Sequence, residues 1–414
     1  VGVWDSQDKF GDTDLLVSDF VEQDSRVLMR RNIAERVAAT APFLKLDNDP
    51  YMAIVDGRMK WIVDAYTSTD RYPYSQRIFL QDVVSDGMTG RSNYMRNSVK
   101  VVVDAYDGTT TFYLIDPSDA IASTYQAAFP GLFRPQSEMS ASLRQHLRYP
   151  EDFFKVQATQ YRLYHMLESD QFYAREDAWD IPIDPVASSG QVRVPMDPYY
   201  VVMKLPGEDK EEFVLMLPFQ PRNRPTLNGW VAARMDPGHY GELVALSFPR
   251  QTGIDSPENV ERIINQRDEI SEQFTLWDRA GSRVGHGPIF VIPIETSLMY
   301  VQPIYLTSAA GEDALPELRK VIVFLGENQI GFESTLEASL AAALEGRTAA
   351  PDEGEPGPAP SEPAGGSSVS ELLEQAAEHF ENAEQALRDG NLARYQRENE
   401  AAARLIEQAR NEDD

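Results

Sequence analysis

At 414 residues, with 42% hydrophobic and 10% aromatic side chains, the chain can build a large core and has length for two or three domains. It contains no cysteine, which excludes disulfides, thiolate nucleophiles and thiolate metal sites together. Its formal charge of −28 repels phosphate backbones and anionic headgroups, so no nucleic-acid partner is expected, and the acidity reads first as solubility.

The start, Val1-Gly-Val-Trp-Asp5, has neither a basic stretch followed by an apolar one nor an initiator Met, and is expected to be a cut end rather than a signal peptide. No window approaches the roughly 18 consecutive apolar residues that span a bilayer. The longest apolar runs, around Phe290–Ile294 and Val321–Leu325, are strand-sized, so the chain is expected to be soluble as it stands.

Two β-hairpins are predicted early: Tyr51–Val55 with Arg58–Tyr66 around Asp56-Gly57, and Ser98–Tyr106 with Thr109–Ile115 around Asp107-Gly108. Both contain Val-Asp-Ala-Tyr, at Val63–Tyr66 and Val103–Tyr106, a weak hint of internal duplication. Helices are predicted at Ser118–Phe129, behind Asp116-Pro117 as cap and first turn, at Ser137–Leu147 and at Pro150–Leu167, the last carrying Phe153, Phe154, Tyr161 and Tyr164. An irregular, Pro-rich stretch follows. Strands are then expected at Tyr199–Leu205, Glu212–Leu217, Trp230–Met235 and Leu243–Phe248, and a helix from Pro257 to about Leu276. Strands at Pro288–Ile294, Leu298–Leu306 and Lys320–Leu325 and a helix at Glu333–Leu344 complete the body. Hairpins alternating with helical blocks, without regular βαβ spacing, predict an α+β fold with mixed, largely antiparallel sheets.

The body is expected to span residues 1–346, with a subdomain split placed near 130–190. Residues 347–368 are rich in Pro, Gly, Ala and Glu, hold no large apolar residue before Val369, and read as a disordered linker. Residues 369–414 read as an acidic helical hairpin broken at Asp389-Gly-Asn391, similar to a single tetratricopeptide-type unit. From Arg347 onward the net charge is −10, which leaves −18 to the body. Docking of this hairpin and a loosely stable hairpin stand as equal alternatives.

Local chemistry is sparse. Gly281–Gly287 is the most glycine-rich stretch of the body, but it lacks the Gly-Lys-Ser/Thr that would open a phosphate-binding helix, and it reads as a flexible connection before it reads as a ligand loop. None of His146, His165, His239, His286 and His379 has a metal-ligand partner at motif spacing, and helix-end hydrogen bonding is the expectation for His146 and His165. Asp47-Asn-Asp49 and the pair Asp104 and Asp107 have oxygens for Ca²⁺ without the spacing of a calcium loop, so they are read first as turns and polar loop. No cofactor is expected.

The most suggestive cluster is Arg71-Tyr72-Pro-Tyr74-Ser-Gln-Arg77, with Arg91, Tyr94 and Arg96 close behind. Rings and guanidiniums together can hold an anionic or sugar-like ligand by stacking and bidentate bonds. The competing reading is that these arginines pair with the surplus carboxylates.

Several stretches carry a resemblance: Phe10-Gly-Asp-Thr-Asp14, Arg31-Asn-Ile-Ala-Glu-Arg36, Leu46-Asp-Asn-Asp-Pro-Tyr51, Arg71–Ser75, Asn93–Lys100, Tyr149-Pro-Glu-Asp-Phe153, Pro218-Phe219 and Gly229-Trp230. In this order they resemble the uncharacterised protein family (UPF) 0182, large bacterial integral-membrane proteins. The likeness covers nearly all of the body, and the Pro-rich linker with its helical end fits it too. It implies a large soluble domain on the extracytoplasmic side of the cell membrane, with the protein's own N-terminal transmembrane region as a partner. It brings no established catalytic residues.

The expected function is therefore a non-catalytic module binding a partner protein or an envelope component, and enzymatic activity is left open. The alternatives are a hydrolase or transferase acting on envelope glycan or lipid, with carboxylates assembled from distant segments, and a domain supporting transport by the membrane region.

Overall fold

The computed structural model describes residues 30–346, except 85–87, 190–191, 223, 250–252, 280–281, 295–296, 309–314 and 327–328. The chain divides into two compact units, Val1–Ala349 and Ala350–Asp414, and all the described residues belong to the first. The Phe10–Asp14 motif, the linker and the helical hairpin lie outside the described residues, as does His379.

Helix α1 (Ile33–Thr40) starts where the Asn32 side chain accepts a hydrogen bond from the Glu35 amide. It leads into the first sheet: β1 (Lys45–Leu46), β2 (Tyr51–Val55), β3 (Arg58–Thr69), β6 (Tyr94–Asp104), β7 (Thr110–Leu114) and β8 (Phe133–Pro135), with β4 (Ile78–Phe79) and β5 (Arg91–Ser92) as a small separate ribbon. The β2–β3 turn has positive φ at both Asp56 and Gly57, the pairing that matches strand twist in a two-residue hairpin. The strands run antiparallel except β7 and β8, which are parallel and joined across α2 (Ala120–Ala128).

The two Val-Asp-Ala-Tyr segments lie on neighbouring strands. Asp64 of β3 faces Lys100 of β6, and Lys60 faces Asp104. The outer pair is open enough for Arg58 to take over Asp104, at 2.9 and 2.8 Å. The inner pair is closed: Lys100 is fully buried, binds the Asp64 carboxylate, donates to the Arg148 carbonyl at 3.0 Å and lies 5.3 Å from the centre of the Tyr240 ring. Burial pulls the Lys100 ammonium down to about 7 against the attraction of Asp47.

One face of this sheet, through Val63, Val99, Val101 and Phe112, packs on Val37 of α1 and Ala122 of α2. The other, through Tyr51, Val55, Ile62 and Val102, packs on Leu143 of α3 (Ala141–Gln145). Then come α4 (Glu151–Tyr164), the short α5 (Ser169–Ala174), β9 (Trp179–Asp180) and the ribbon β10 (Ile183–Ser189) with β11 (Val192–Pro195).

The second sheet has the order β12 (Tyr199–Lys204), β13 (Glu211–Pro221), β14 (Gly229–Arg234), β15 (Leu243–Ser247), and β9 pairs with the end of β13. All six residues of β14 are buried, as are seven of the eleven of β13, and both strands contribute to the core cluster that also takes Phe153, Phe154 and Val156 from α4. After α6 (Pro257–Asn265) and α7 (Asp268–Arg279), the third sheet has the order β16 (Ser282–His286), β18 (Ser297–Ser308), β19 (Glu317–Gly326), β20 (Gln329–Glu333), with β17 (Phe290–Ile294) also on β18; α8 (Leu336–Leu344) follows. The fold is α+β, with mostly antiparallel sheets and helical blocks between them.

Several sequence expectations are corrected. The cap of α2 is Asp119, whose carboxylate accepts from the Ile121 and Ala122 amides; Asp116 instead closes a turn onto Ser118. The helix expected at Ser137–Leu147 shortens to α3 because Ser140 caps a new start. The helix expected from Pro257 to Leu276 is two helices, with Gln266 as the cap of the first. The irregular stretch after α4 contains α5 and β9 to β11. Ser282–His286 is a strand, not a loop, and Gly287 is needed for proximity: a Cβ there would lie 2.6 Å from Pro303 Cγ.

Replacing Lys100 by Met leaves the Asp64 carboxylate buried without its partner and is expected to cost about 3–5 kcal/mol in urea unfolding. Adding Asp64→Leu should recover much of that loss. A single Lys100→Met variant within about 0.5 kcal/mol of the parent would contradict this.

Candidate functional site

The aromatic-arginine segment forms the loop between β3 and the β4–β5 ribbon. Asn93 holds it: its Oδ1 accepts from the Tyr72 amide at 2.9 Å, and its Nδ2 donates to the carbonyls of Tyr72 and Ser75 at 2.8 and 3.1 Å. At the tip, Tyr74 adopts a left-handed φ of 58° with its side chain fully in solvent, an unfavourable conformation for a bulky residue. The Tyr72 ring stacks on Tyr94, 5.3 Å between centres and 16° from parallel.

Tyr94 is fixed from below. Its hydroxyl donates to Asp119 at 2.7 Å, and the same buried carboxylate accepts from Thr67 at 2.5 Å and Ser98 at 2.7 Å. Burial works to raise the Asp119 pKa, but those three hydroxyls together with the Ile121 amide outweigh it and hold the group below its ordinary value. Desolvation and the bond to Asp119 push the Tyr94 phenol up to about 12.

Facing this wall is α4. Phe153, Gln157, Gln160, Tyr161 and Tyr164 share one face by helical spacing, and between the walls lies a cleft of about 790 Å³ floored by Ile78, Val231 and Ala245. Of the seven residues singled out in the sequence, Tyr72, Tyr74, Tyr94 and Arg96 line it. Arg71, Arg77 and Arg91 do not. Arg77 donates to the Asp70 carbonyl at 2.8 Å, and Arg91 pairs with the Asp70 carboxylate at 3.5 Å. Even Arg96 is engaged, with Asp116 at 2.9 Å and Ser118 at 3.1 Å. Carboxylates thus pair with two of the four guanidiniums, Arg91 and Arg96, and only Arg96 reaches the cleft, whose other polar recognising groups are rings, hydroxyls and amides. The α4 wall was visible in the sequence only as an aromatic helix, with nothing to place it opposite Tyr72.

Among the described residues lining the cleft there is no carboxylate, imidazole or amine. A further recess, about 910 Å³, lies between the β12–β13 turn and the third sheet; Leu205, Phe248, Ile254, Leu298 and Phe324 make it mostly apolar, and its Glu208 is committed to Arg234 at 3.0 Å.

A second feature joins two distant motifs. The Asn48 amide donates to Asp152 at 3.4 Å, so Asp47, Asp49, Glu151 and Asp152 gather at the start of α4. Asp47 is buried and accepts from the Tyr66 hydroxyl, which corrects its reading as a polar loop. Burial, opposed by Lys155 and reinforced by Asp49, Asp197 and Asp47, raises Glu151 to about 7. Burial and then Asp47 raise Asp152 to about 6. No three acidic or histidine side chains among the described residues are arranged to hold a metal ion. His146 and His165 bond to the backbone, Nδ1 to the carbonyls of Ser142 at 2.7 Å and Tyr161 at 3.0 Å.

Residues 7–277 match the uncharacterised protein family UPF0182, and the chain belongs to that family. It is similar to a UPF0182 protein of Methanospirillum hungatei, 44% identical over 388 residues that make up 94% of this chain and 42% of the relative. It is similar also to one of Cupriavidus necator, 43% identical over 96% of this chain and 41% of the relative, and to one of Bradyrhizobium diazoefficiens, 48% identical over 80% and 34%. The chain thus spans about two fifths of the length of the curated relatives it matches. No solved structure matches it. Among the described residues no helix is long and apolar enough to cross a membrane.

The raised carboxylates fix a pH dependence. Between their unfolded and folded pKa values the native state holds more protons than the unfolded chain, so stability increases as pH falls through that window. Asp104, held near 2 chiefly by its bond to Arg58, stays ionised there and does not oppose the trend. Buried Lys100, lowered to about 7, opposes the trend above that pH, so the melting temperature is expected to rise from about pH 7 to pH 5, and Glu151→Gln to raise it near pH 7 and flatten the slope. Calorimetry showing a fall over this range would contradict the assignment.

Proposed function

We propose that this body is a non-catalytic binding module of a membrane-embedded protein, on the extracytoplasmic side, and that its aromatic cleft takes a sugar chain of the cell envelope. The observation that carries the reading is the lining itself: five tyrosines, Phe153 and three glutamines around a cleft without a carboxylate, imidazole or amine among the described residues. Tyrosine rings offer flat apolar faces to the C–H faces of a pyranose, and amides supply hydrogen bonds to its hydroxyls. Gln76 and Gln160 make no side-chain hydrogen bond within the described residues, so their amides are free for a ligand. Hydrolysis of a glycan would require a pair of carboxylates across the bond, and the acidic cluster at the start of α4 is not part of this lining.

The membrane setting rests on the family and on length. The matched relatives are more than twice as long as this chain, which leaves room in them for a membrane region.

Titration calorimetry with a chito-oligosaccharide and a neutral gluco-oligosaccharide, each about four residues long and taken to about 10 mM, tests the reading. At least one should bind, and Tyr72→Ala should weaken it about tenfold, equivalent to about 1.4 kcal/mol. Asn93→Ala should weaken it too, by releasing the loop. No saturable binding, or equal binding by the variants, would overturn the proposal. Binding of a proline-rich peptide in place of either sugar would move the cleft to protein recognition.

A further inference from the structure

A separate recess, about 650 Å³, opens where β9 and the end of β13 meet the β10–β11 ribbon and the first turn of α6. Three guanidiniums converge on it, from Arg162, Arg193 and Arg224, in a body whose net charge is −18. Arg162 is fixed by donation from Nε to the Trp179 carbonyl at 2.9 Å and by its contact with Asp180. Arg193 is fixed by Glu258 at 2.7 Å. Each carboxylate therefore orients one arginine and neutralises it.

Arg224 is different. Its backbone is set, with its amide donating to the Pro221 carbonyl at 3.2 Å and the next residue, Pro225, accepting from the Ser256 amide at 3.1 Å. Its side chain, by contrast, makes no hydrogen bond or ion pair among the described residues. Gln220, which lines the same recess, likewise has a side chain with no hydrogen bond there. The lining thus carries one uncompensated positive charge, the unspent fork of Arg224, the outward N–H groups of two pre-oriented arginines and one free amide.

We infer that this recess is an oxyanion site, in which Arg224 binds a carboxylate or phosphate group of a polar ligand bidentately while Arg162, Arg193 and Gln220 hold its flank. Planar guanidinium forks match both groups, and arginines already ordered by internal pairs lose little freedom on binding. The site is independent of the aromatic cleft: Arg162 comes from the same helix, α4, but lines only this recess.

The test uses the 414-residue chain and two probes, inorganic phosphate and acetate, titrated at constant ionic strength while arginine side-chain signals are followed by NMR. One probe at least should give saturable shifts at Arg224, Arg193 and Arg162, and the tighter of the two names the source of the oxyanion. Arg224→Gln should weaken that probe at least about tenfold, Arg224→Lys less, and Arg144→Gln, on α3, not at all. Shifts that do not saturate, or that survive equally in Arg224→Gln and Arg144→Gln, would reduce the recess to diffuse screening and overturn the inference.

Discussion

The ammonium of Lys100 is closed off from water between β3 and β6, and its compensation comes from three sides at once. Asp64 stands across the strand pair, Tyr240 offers its ring, and the Arg148 carbonyl accepts from both the Lys100 ammonium, at 3.0 Å, and the Tyr240 hydroxyl, at 2.9 Å. A buried charge of this kind is costly unless every contact is made, so the segment holding that carbonyl has little freedom. The same segment is gripped again by Tyr51, whose hydroxyl accepts from the Arg148 amide at 3.0 Å, and by Tyr200, which donates to the Tyr149 carbonyl at 3.0 Å. Residues 146–149 are therefore the hub through which the first and second sheets and the start of α4 are fixed to one another.

The cleft follows from that hub. Because α4 leaves residue 150 in a set direction, its aromatic face comes to lie against the end of the first sheet, where Tyr72 and Tyr94 stack. Both walls are held from behind by buried polar groups, Asp119 under Tyr94 and the 146–149 segment under α4. The strain accepted at Tyr74 lies at the solvent-facing tip of the wall, and Asn93 over-determines the loop that carries it. Sites of this sort are built on rigid elements with a short loop at the rim, and recognition by rings and amides suits a polar ligand with flat faces.

How much of this was legible in the sequence depends on how local the cause was. The β2–β3 hairpin was plain, since Asp56-Gly57 demands one turn type and the flanking alternation sets the register. The early tyrosines were found because they are neighbours in sequence. The break in the Pro257–Leu276 helix was not visible, because neither Gln266 nor Arg267 is a helix breaker and apolar residues on both sides of it, Val260 and Ile264 before and Ile270 and Trp277 after, enter one core cluster. Glycines at 281–287 suggested a loop, whereas the approach of Pro303 to Gly287 is a tertiary fact. Pairing of the arginines with carboxylates was one of the two readings the sequence offered, but not which carboxylates: Asp70 and Asp116 are ordinary acidic residues until the fold brings them within reach of Arg91 and Arg96. Asp47 and Asp152, a hundred positions apart, show the limit most clearly, for nothing local says that their carboxylates share one environment.

A crystal of this body soaked with a short oligosaccharide tests most directly whether the space between Tyr72 and α4 is a binding cleft. A pyranose ring lying against Tyr72, with hydroxyls in reach of Gln160 or Gln76, is the predicted result. An empty cleft at saturating sugar, or sugar bound only elsewhere on the surface, would contradict it.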